Sequence, residues 1–179
     1  MSNQIKTEHL PNYSFSDYKT WTDRWEIISG IPYSMLPLPS LQHQRINKKI
    51  VKLLDDQLQH CEKCEAFMPV DWKIDSKTVV QPDALVTCAI EEGNYITQSP
   101  ALVFEILSPS TAIKDRHVKF DLYYESGVKY YVIISPEDEL ATIFLWMKDK
   151  YQSVLKTHNE VFEFDLGDCK ISFDFNTIW

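Results

Sequence analysis

The chain has 179 residues, which suits one domain with a sizeable core. Aromatics make up 13% of it and glycines number 4, which excludes a disordered chain and leaves little glycine for a nucleotide-binding loop. The net charge of −8 argues against an extended basic surface for nucleic acid, but a bound cation or a local basic groove would change the field at a site.

No apolar run approaches the ~20 residues that cross a bilayer. The first residues, Met1 to Lys6, lack the apolar segment of a secretory signal. A soluble cytoplasmic protein, with no membrane partner, is the expectation. Cys61 and Cys64 form a CxxC, but no second CxxC or HxxxH follows at zinc spacing, and Cys88 and Cys169 stand alone. The motif ends a helix, so no helix N-terminus lowers a thiol pKa for redox work. The spacing argues against a zinc or redox centre.

Residues 1–20 are polar and irregular, with a short helical lead-in expected over 16–25. Ser29 and Gly30, between two β-type runs, predict a hairpin over 25–35. Leu36 to Ser40 is extended, because the residue before each proline is pushed out of the helical region. Ser40 then caps a helix with His43, Ile46, Ile50, Leu53, Leu54 and Leu58 at helical spacing; Lys48, Lys49 and Lys52, with Asp55 and Asp56, take the other face. It fades near 59–61. A strand over 65–74 contains Pro69, which marks an edge or an irregular stretch. After a turn at 75–77, Thr78 to Asp83 leads into a strand over 84–88.

The run from Ala101 to Leu107 reads as a buried strand, apolar except for Glu105. A helix over about 111–125 follows, capped by Ser110 or Thr111 and stopped at Gly127. Tyr130 to Ile134 is a second buried strand, so the three elements form a right-handed βαβ crossover. Strands over 141–147 and 151–155 precede surface or edge strands over 161–164 and 171–175. The sum is an α/β domain with a mixed central β-sheet flanked by helices. One domain over residues 1–179 is expected: a lead-in (1–24), a core (25–136) and a C-terminal β extension (137–179).

Asp83 and Glu105 are the sharpest candidates. An ionised Glu inside an apolar strand is costly unless a cation meets it. If the two strands are neighbours, both carboxylates converge at one sheet edge, which suits Mg²⁺ or Mn²⁺ with the Ile106 carbonyl as a further ligand. The plainer reading ends a turn at Asp83 and pairs Glu105 with a lysine. Asp115 and Lys119 lie one helical turn apart, as a surface ion pair or with Lys119 turned back over the carboxylates to orient water or stabilise a phosphate. His43 is more often a packed core residue, Glu26 a solvated strand charge, and the tyrosines at 123, 124, 130 and 131 core or interface. No P-loop, GxSxG or GxGxxG occurs.

Pro82-Asp83, Glu105 to Thr111, Asp115-x-x-x-Lys119 and Tyr123-x-x-x-Gly127-Val128-x-x-Tyr131 together resemble the Uma-type family of restriction endonucleases, within the PD-(D/E)xK nuclease superfamily. Glu26 to Gly30, Met35 to Ser40, His43-Gln44 and Pro69 to Trp72 are similar to the earlier part of that family; the resemblance spans about 25–136. It implies a restriction-endonuclease-like fold and Mg²⁺-dependent hydrolysis of DNA phosphodiester bonds. Asp83 matches the motif Asp and Glu105 its (D/E). Leu107 stands where the motif lysine is expected, and Lys119 on the helix matches a relocated one. Glu26 matches an acidic residue that assists the metal site in related nucleases.

The leading expectation is therefore a DNA endonuclease, with Asp83, Glu105 and Ile106 holding the metal and Lys119 positioning water and phosphate; Glu26, His43 and Asp115 are accessory. The alternatives are a non-catalytic nuclease-fold protein acting through dimerisation or partner binding, and a phosphohydrolase for small nucleotides. The apolar strands from Ala141 onward make a homodimer the expected assembly.

Overall fold

The computed structural model describes residues 10–89, 92–109 and 114–179. In chain order the elements are α1 (Phe15–Tyr18), β1 (Trp25–Ile28), β2 (Ile31–Ser34), α2 (Leu41–Leu58), β3 (Glu65–Phe67), β4 (Trp72–Asp75), β5 (Thr78–Val80) and β6 (Ala84–Thr87). They continue with β7 (Leu102–Ile106), a π-helical turn (Lys114–Val118) leading into α3 (Lys119–Glu125), β8 (Tyr130–Ser135), β9 (Leu140–Met147), β10 (Lys150–Thr157), β11 (Val161–Asp165), β12 (Lys170–Asp174) and a 3₁₀ turn (Phe175–Thr177). Among the described residues no helix is long and apolar enough to cross a membrane.

A six-stranded sheet, ordered β10-β9-β8-β7-β6-β3, is the spine. Only β7 and β8 run parallel in it, joined through α3; the other ladders are antiparallel. Its central strands are buried on both faces, which is why β7 and β8 are nearly continuous apolar runs. Leu102, Phe104 and Ile106 of β7 face α2 and the β11–β12 hairpin, together with Ile46, Ile50, Leu54, Phe164 and Phe173. Val103 faces the other way, towards Trp72, Val80, Tyr123 and Tyr131. That second face is covered by α3 and by a smaller sheet ordered β2-β1-β5-β4.

Local signals explain the elements that place the site. Ser29 (φ 52°) and Gly30 (φ 80°) form the β1–β2 turn, where left-handed backbone is needed and a Cβ on Gly30 would sit 2.9 Å from Asn12 Oδ1. Ser40 caps α2, its hydroxyl oxygen accepting the His43 N–H at 3.2 Å. Gly127 (φ 79°) ends α3, and its N–H donates to the Tyr124 carbonyl at 3.1 Å.

Several expectations are corrected. The lead-in helix covers only α1, because the Thr20 hydroxyl donates to the Asp17 carbonyl at 2.7 Å and the chain turns away. The strand over 65–74 is two strands in different sheets, β3 and β4, separated at Pro69, which cannot donate to a ladder. The stretch 78–88 likewise changes sheet between β5 and β6. The helix expected over 111–125 includes the π-helical turn before α3; its expected caps, Ser110 and Thr111, lie outside the described residues. The strands β11 and β12 pair with each other, and they bury Phe164, Ile171 and Phe173 completely rather than lying on the surface. Cys88 and Cys169, isolated in sequence, are the disulfide partners of Cys64 and Cys61.

Candidate active site

The change of sheet between β5 and β6 puts Asp83 at the seam of the two sheets. Ala84 pairs with Phe104, so the next rung of the same antiparallel ladder sets Asp83 beside Glu105. Asp83 Oδ2 accepts the Ile106 N–H at 2.8 Å and lies 3.2 Å from His43 Nε2. Asn47, one turn after His43 on α2, donates its side-chain N–H to the Asp83 carbonyl at 2.9 Å. Strand β7 and helix α2 therefore grip Asp83 from two sides.

Glu105 alternates with Phe104, so it points towards α3. Lys119 Nζ donates to Glu105 Oε1 at 2.8 Å, and the Tyr123 hydroxyl donates to the same oxygen at 2.6 Å. Lys119 also lies 2.8 Å from Glu26 Oε1 and 3.8 Å from Asp115 Oδ1. Glu26 accepts the Gln81 N–H at 2.9 Å and is paired with Lys114 through its other oxygen. The Tyr131 hydroxyl donates to the Asp115 carbonyl at 2.8 Å, tying the π-helical turn to β8.

All seven residues singled out from the sequence thus meet in one cluster, with Asp83, Glu105 and Ile106 at its strand ends. Two plain readings fail on burial: Glu26 is 0% exposed, so it is no solvated strand charge, and Asp115 and Lys119 are each 2% exposed, so they form no surface pair. Sequence reasoning missed Asn47, Lys114 and the Tyr123 hydroxyl. Asn47 and Tyr123 each follow a chosen residue by four positions on a helix, a spacing that puts side chains on one face. Lys114 carried no such mark.

Four carboxyl groups here, those of Glu26, Asp83, Glu105 and Asp115, face two lysines. Burial pushes the Glu105 carboxyl well above its usual range; Lys119 opposes this, but Asp115, Asp83 and Glu26 add to it. Burial acts the same way on Glu26, yet Lys119 and Lys114 overcome it and hold Glu26 below its usual value. Burial would lower Lys119, but Glu105, Glu26 and Asp115 outweigh that and keep it firmly protonated. For His43, burial lowers the value, and the bond to Asp83, its charge and the Ile106 carbonyl raise it above normal.

The donor set fits a hard divalent cation. Asp83 Oδ1 and Glu105 Oε2 accept no hydrogen bond from the described residues, and the carboxyl groups outnumber the lysines, so oxygen donors remain for a cation.

A mixed sheet with a parallel β–helix–β pair at its centre and carboxylates at adjoining strand ends is the restriction-endonuclease-like class of fold. The crystal structure of a "putative nuclease belonging to DUF820" from Anabaena variabilis shares it, with a TM-score of 0.68 over 78% of this chain and 83% of that one, at 16% identity. The chain belongs to the Uma2 family, described as "putative restriction endonuclease", whose model matches residues 15–166. No curated protein matches it.

Proposed function

We propose that the chain is a divalent-metal-dependent endonuclease that hydrolyses DNA phosphodiester bonds. The observation that carries this reading is the half-buried Asp83 at the strand end beside Glu105, which is buried with Lys119 bonded to it. Asp83, Glu105 and the Ile106 carbonyl would hold Mg²⁺ or Mn²⁺. A cation held there supplies a Lewis acid for the phosphoryl oxygen and makes a coordinated water more acidic.

The protein's own groups divide the remaining work. Lys119, kept protonated by three carboxylates, is a donor and not a base: it orients the attacking water and stabilises charge on the phosphate. Glu26 and Asp115 aim Lys119, and Tyr123 fixes one oxygen of Glu105. His43 holds Asp83. The Asp83 side chain is 18% exposed against 3% for Glu105, so the phosphate approaches from the Asp83 side.

The test is cleavage of plasmid DNA with Mg²⁺ or Mn²⁺ by wild type, Asp83→Ala and Glu105→Ala. Cleavage by the wild type alone is expected; equal cleavage by the variants removes both residues from the mechanism. Cleavage of small nucleotides but not plasmid would move the reading to a phosphohydrolase. Absence of both activities and of metal binding would favour a partner-binding role, which the closed ion-pair network around Lys119 would also serve. Exposed Trp146, Met147 and Val154 on β9 and β10 support the homodimer, which sedimentation would test.

A further inference from the structure

The four cysteines form a second centre, away from the carboxylates. Cys61 lies three residues beyond α2, and Cys64 directly precedes β3. Cys88 directly follows β6, one rung beyond the Glu65–Thr87 pair. Cys169 sits in the turn of the β11–β12 hairpin, where its carbonyl accepts the Leu166 N–H at 2.9 Å. The sulfurs of Cys61, Cys64 and Cys169 lie within 4.8 Å of one another, and Cys88 is bonded to Cys64. Cys64 and Cys169 are buried, at 5% and 8% exposure.

Two disulfides that only staple the chain have no need to touch. These two share one cluster, built from a CxxC knuckle and one cysteine from each of two further elements. A Zn²⁺ ion bound to four thiolates at about 2.3 Å places the sulfurs about 3.8 Å apart; those of Cys61, Cys64 and Cys169 already lie within 4.8 Å of one another, and Cys88 is beside Cys64 on the adjoining strand rung. Soft thiolate ligands select Zn²⁺ over the hard cations suited to Asp83 and Glu105. Lys63, inside the CxxC knuckle, bridges to Asp168 at 3.0 Å and so ties the knuckle to the β11–β12 turn that carries Cys169.

We propose that the reduced protein binds one Zn²⁺ through Cys61, Cys64, Cys88 and Cys169, and that the two disulfides are the oxidised, metal-free form of the same site. The ion clamps the C-terminal end of α2, the β3–β6 edge and the β11–β12 hairpin. It is a structural centre: α2 and β6 carry His43 and Asp83 near their opposite ends. The conversion balances: two phosphines and two waters reduce both disulfides to four thiols and two phosphine oxides, and the thiols release protons as they bind Zn²⁺.

The full chain, reduced with a water-soluble phosphine, is titrated with Zn²⁺ and separately with Co²⁺, with metal content measured after gel filtration. One tightly held Zn²⁺ per chain and thiolate-to-cobalt charge-transfer absorption with tetrahedral d–d bands are expected. Cys88→Ser and Cys169→Ser should lose both signals, whereas Glu105→Gln should keep them, separating this centre from the carboxylate site. Where a cysteine variant fails to fold, the wild-type cobalt spectrum decides alone. Wild-type protein that retains no Zn²⁺ under reducing conditions overturns the proposal, whether its thiols are free or remain disulfide-bonded.

Discussion

Lys119 decides what the cluster is. Nothing but ion pairs and hydrogen bonds compensates the burial of Glu26 and Glu105, and Lys119 reaches both. Removing one partner of a buried charge pair costs about 3–5 kcal/mol, because the other charge stays buried and uncompensated. Lys119→Met should therefore lower stability by about that much at neutral pH in urea denaturation, besides abolishing cleavage. A loss within about 0.5 kcal/mol would mean that Lys119 compensates neither carboxylate. The titration of Glu105 gives a second prediction. Its folded pKa is raised, so between the unfolded value near 4.5 and the raised one the native state keeps a proton that the unfolded chain has released. Its contribution to stability is full below that window and is lost as pH rises through it. Glu26, with a lowered pKa, acts oppositely, its contribution being lost only in acid. Denaturation at about pH 5 and about pH 8 should show stability falling with pH in wild type, less so in Glu105→Gln, and less so with Mn²⁺ present. Glu105 was legible in the sequence as a carboxylate in an apolar strand. Lys119 was not, on periodicity alone: its spacing from Asp115 fits a surface pair equally well, and only the family resemblance chose between them. Lys114 had no readable mark, since its role depends on a hairpin residue 88 positions earlier.

The elements matter through the places where they change direction. The chain passes from the small sheet to the large one across Gln81 to Asp83, and this switch puts Asp83 at the seam of the two sheets rather than inside a strand. Alternation in sequence shows which residues share a face but not which sheet a strand joins, so 65–74 looked like one strand and 78–83 like the lead into 84–88. The π-helical turn was equally hidden, because an extra residue in a turn leaves the apolar pattern of α3 almost unchanged. Helix ends were readable where their chemistry is local, as at Ser40 and Gly127. Gly127 holds φ at +79° with open space around an added Cβ, so the conformation alone sets the cost of substitution. Gly127→Ala should lose about 1–2 kcal/mol in thermal or urea unfolding, from left-handed backbone strain. An unchanged stability would show that α3 ends in some other way.

At the scale of the whole molecule, two unlike centres share one pair of elements, α2 and β6. Hard oxygen donors gather near the N-terminal end of each and thiols near the C-terminal end. The α/β class and mixed sheet followed from the order of apolar runs and helical spacings. The cysteine cluster did not, because its pairs are separated by 24 and 108 residues and only tertiary packing joins them. The net charge of −8 makes an excess of carboxylates unremarkable in composition; what sets these apart is that Glu26, Glu105 and Asp115 are buried together. The central claim is that this buried excess exists to hold a divalent cation. Calorimetric titration of Mn²⁺ into wild type and Glu105→Gln, at neutral pH, tests it most directly. One site in the wild type, weakened at least about 10-fold in the variant, is predicted. Equal binding by both proteins, or none by the wild type, would contradict it.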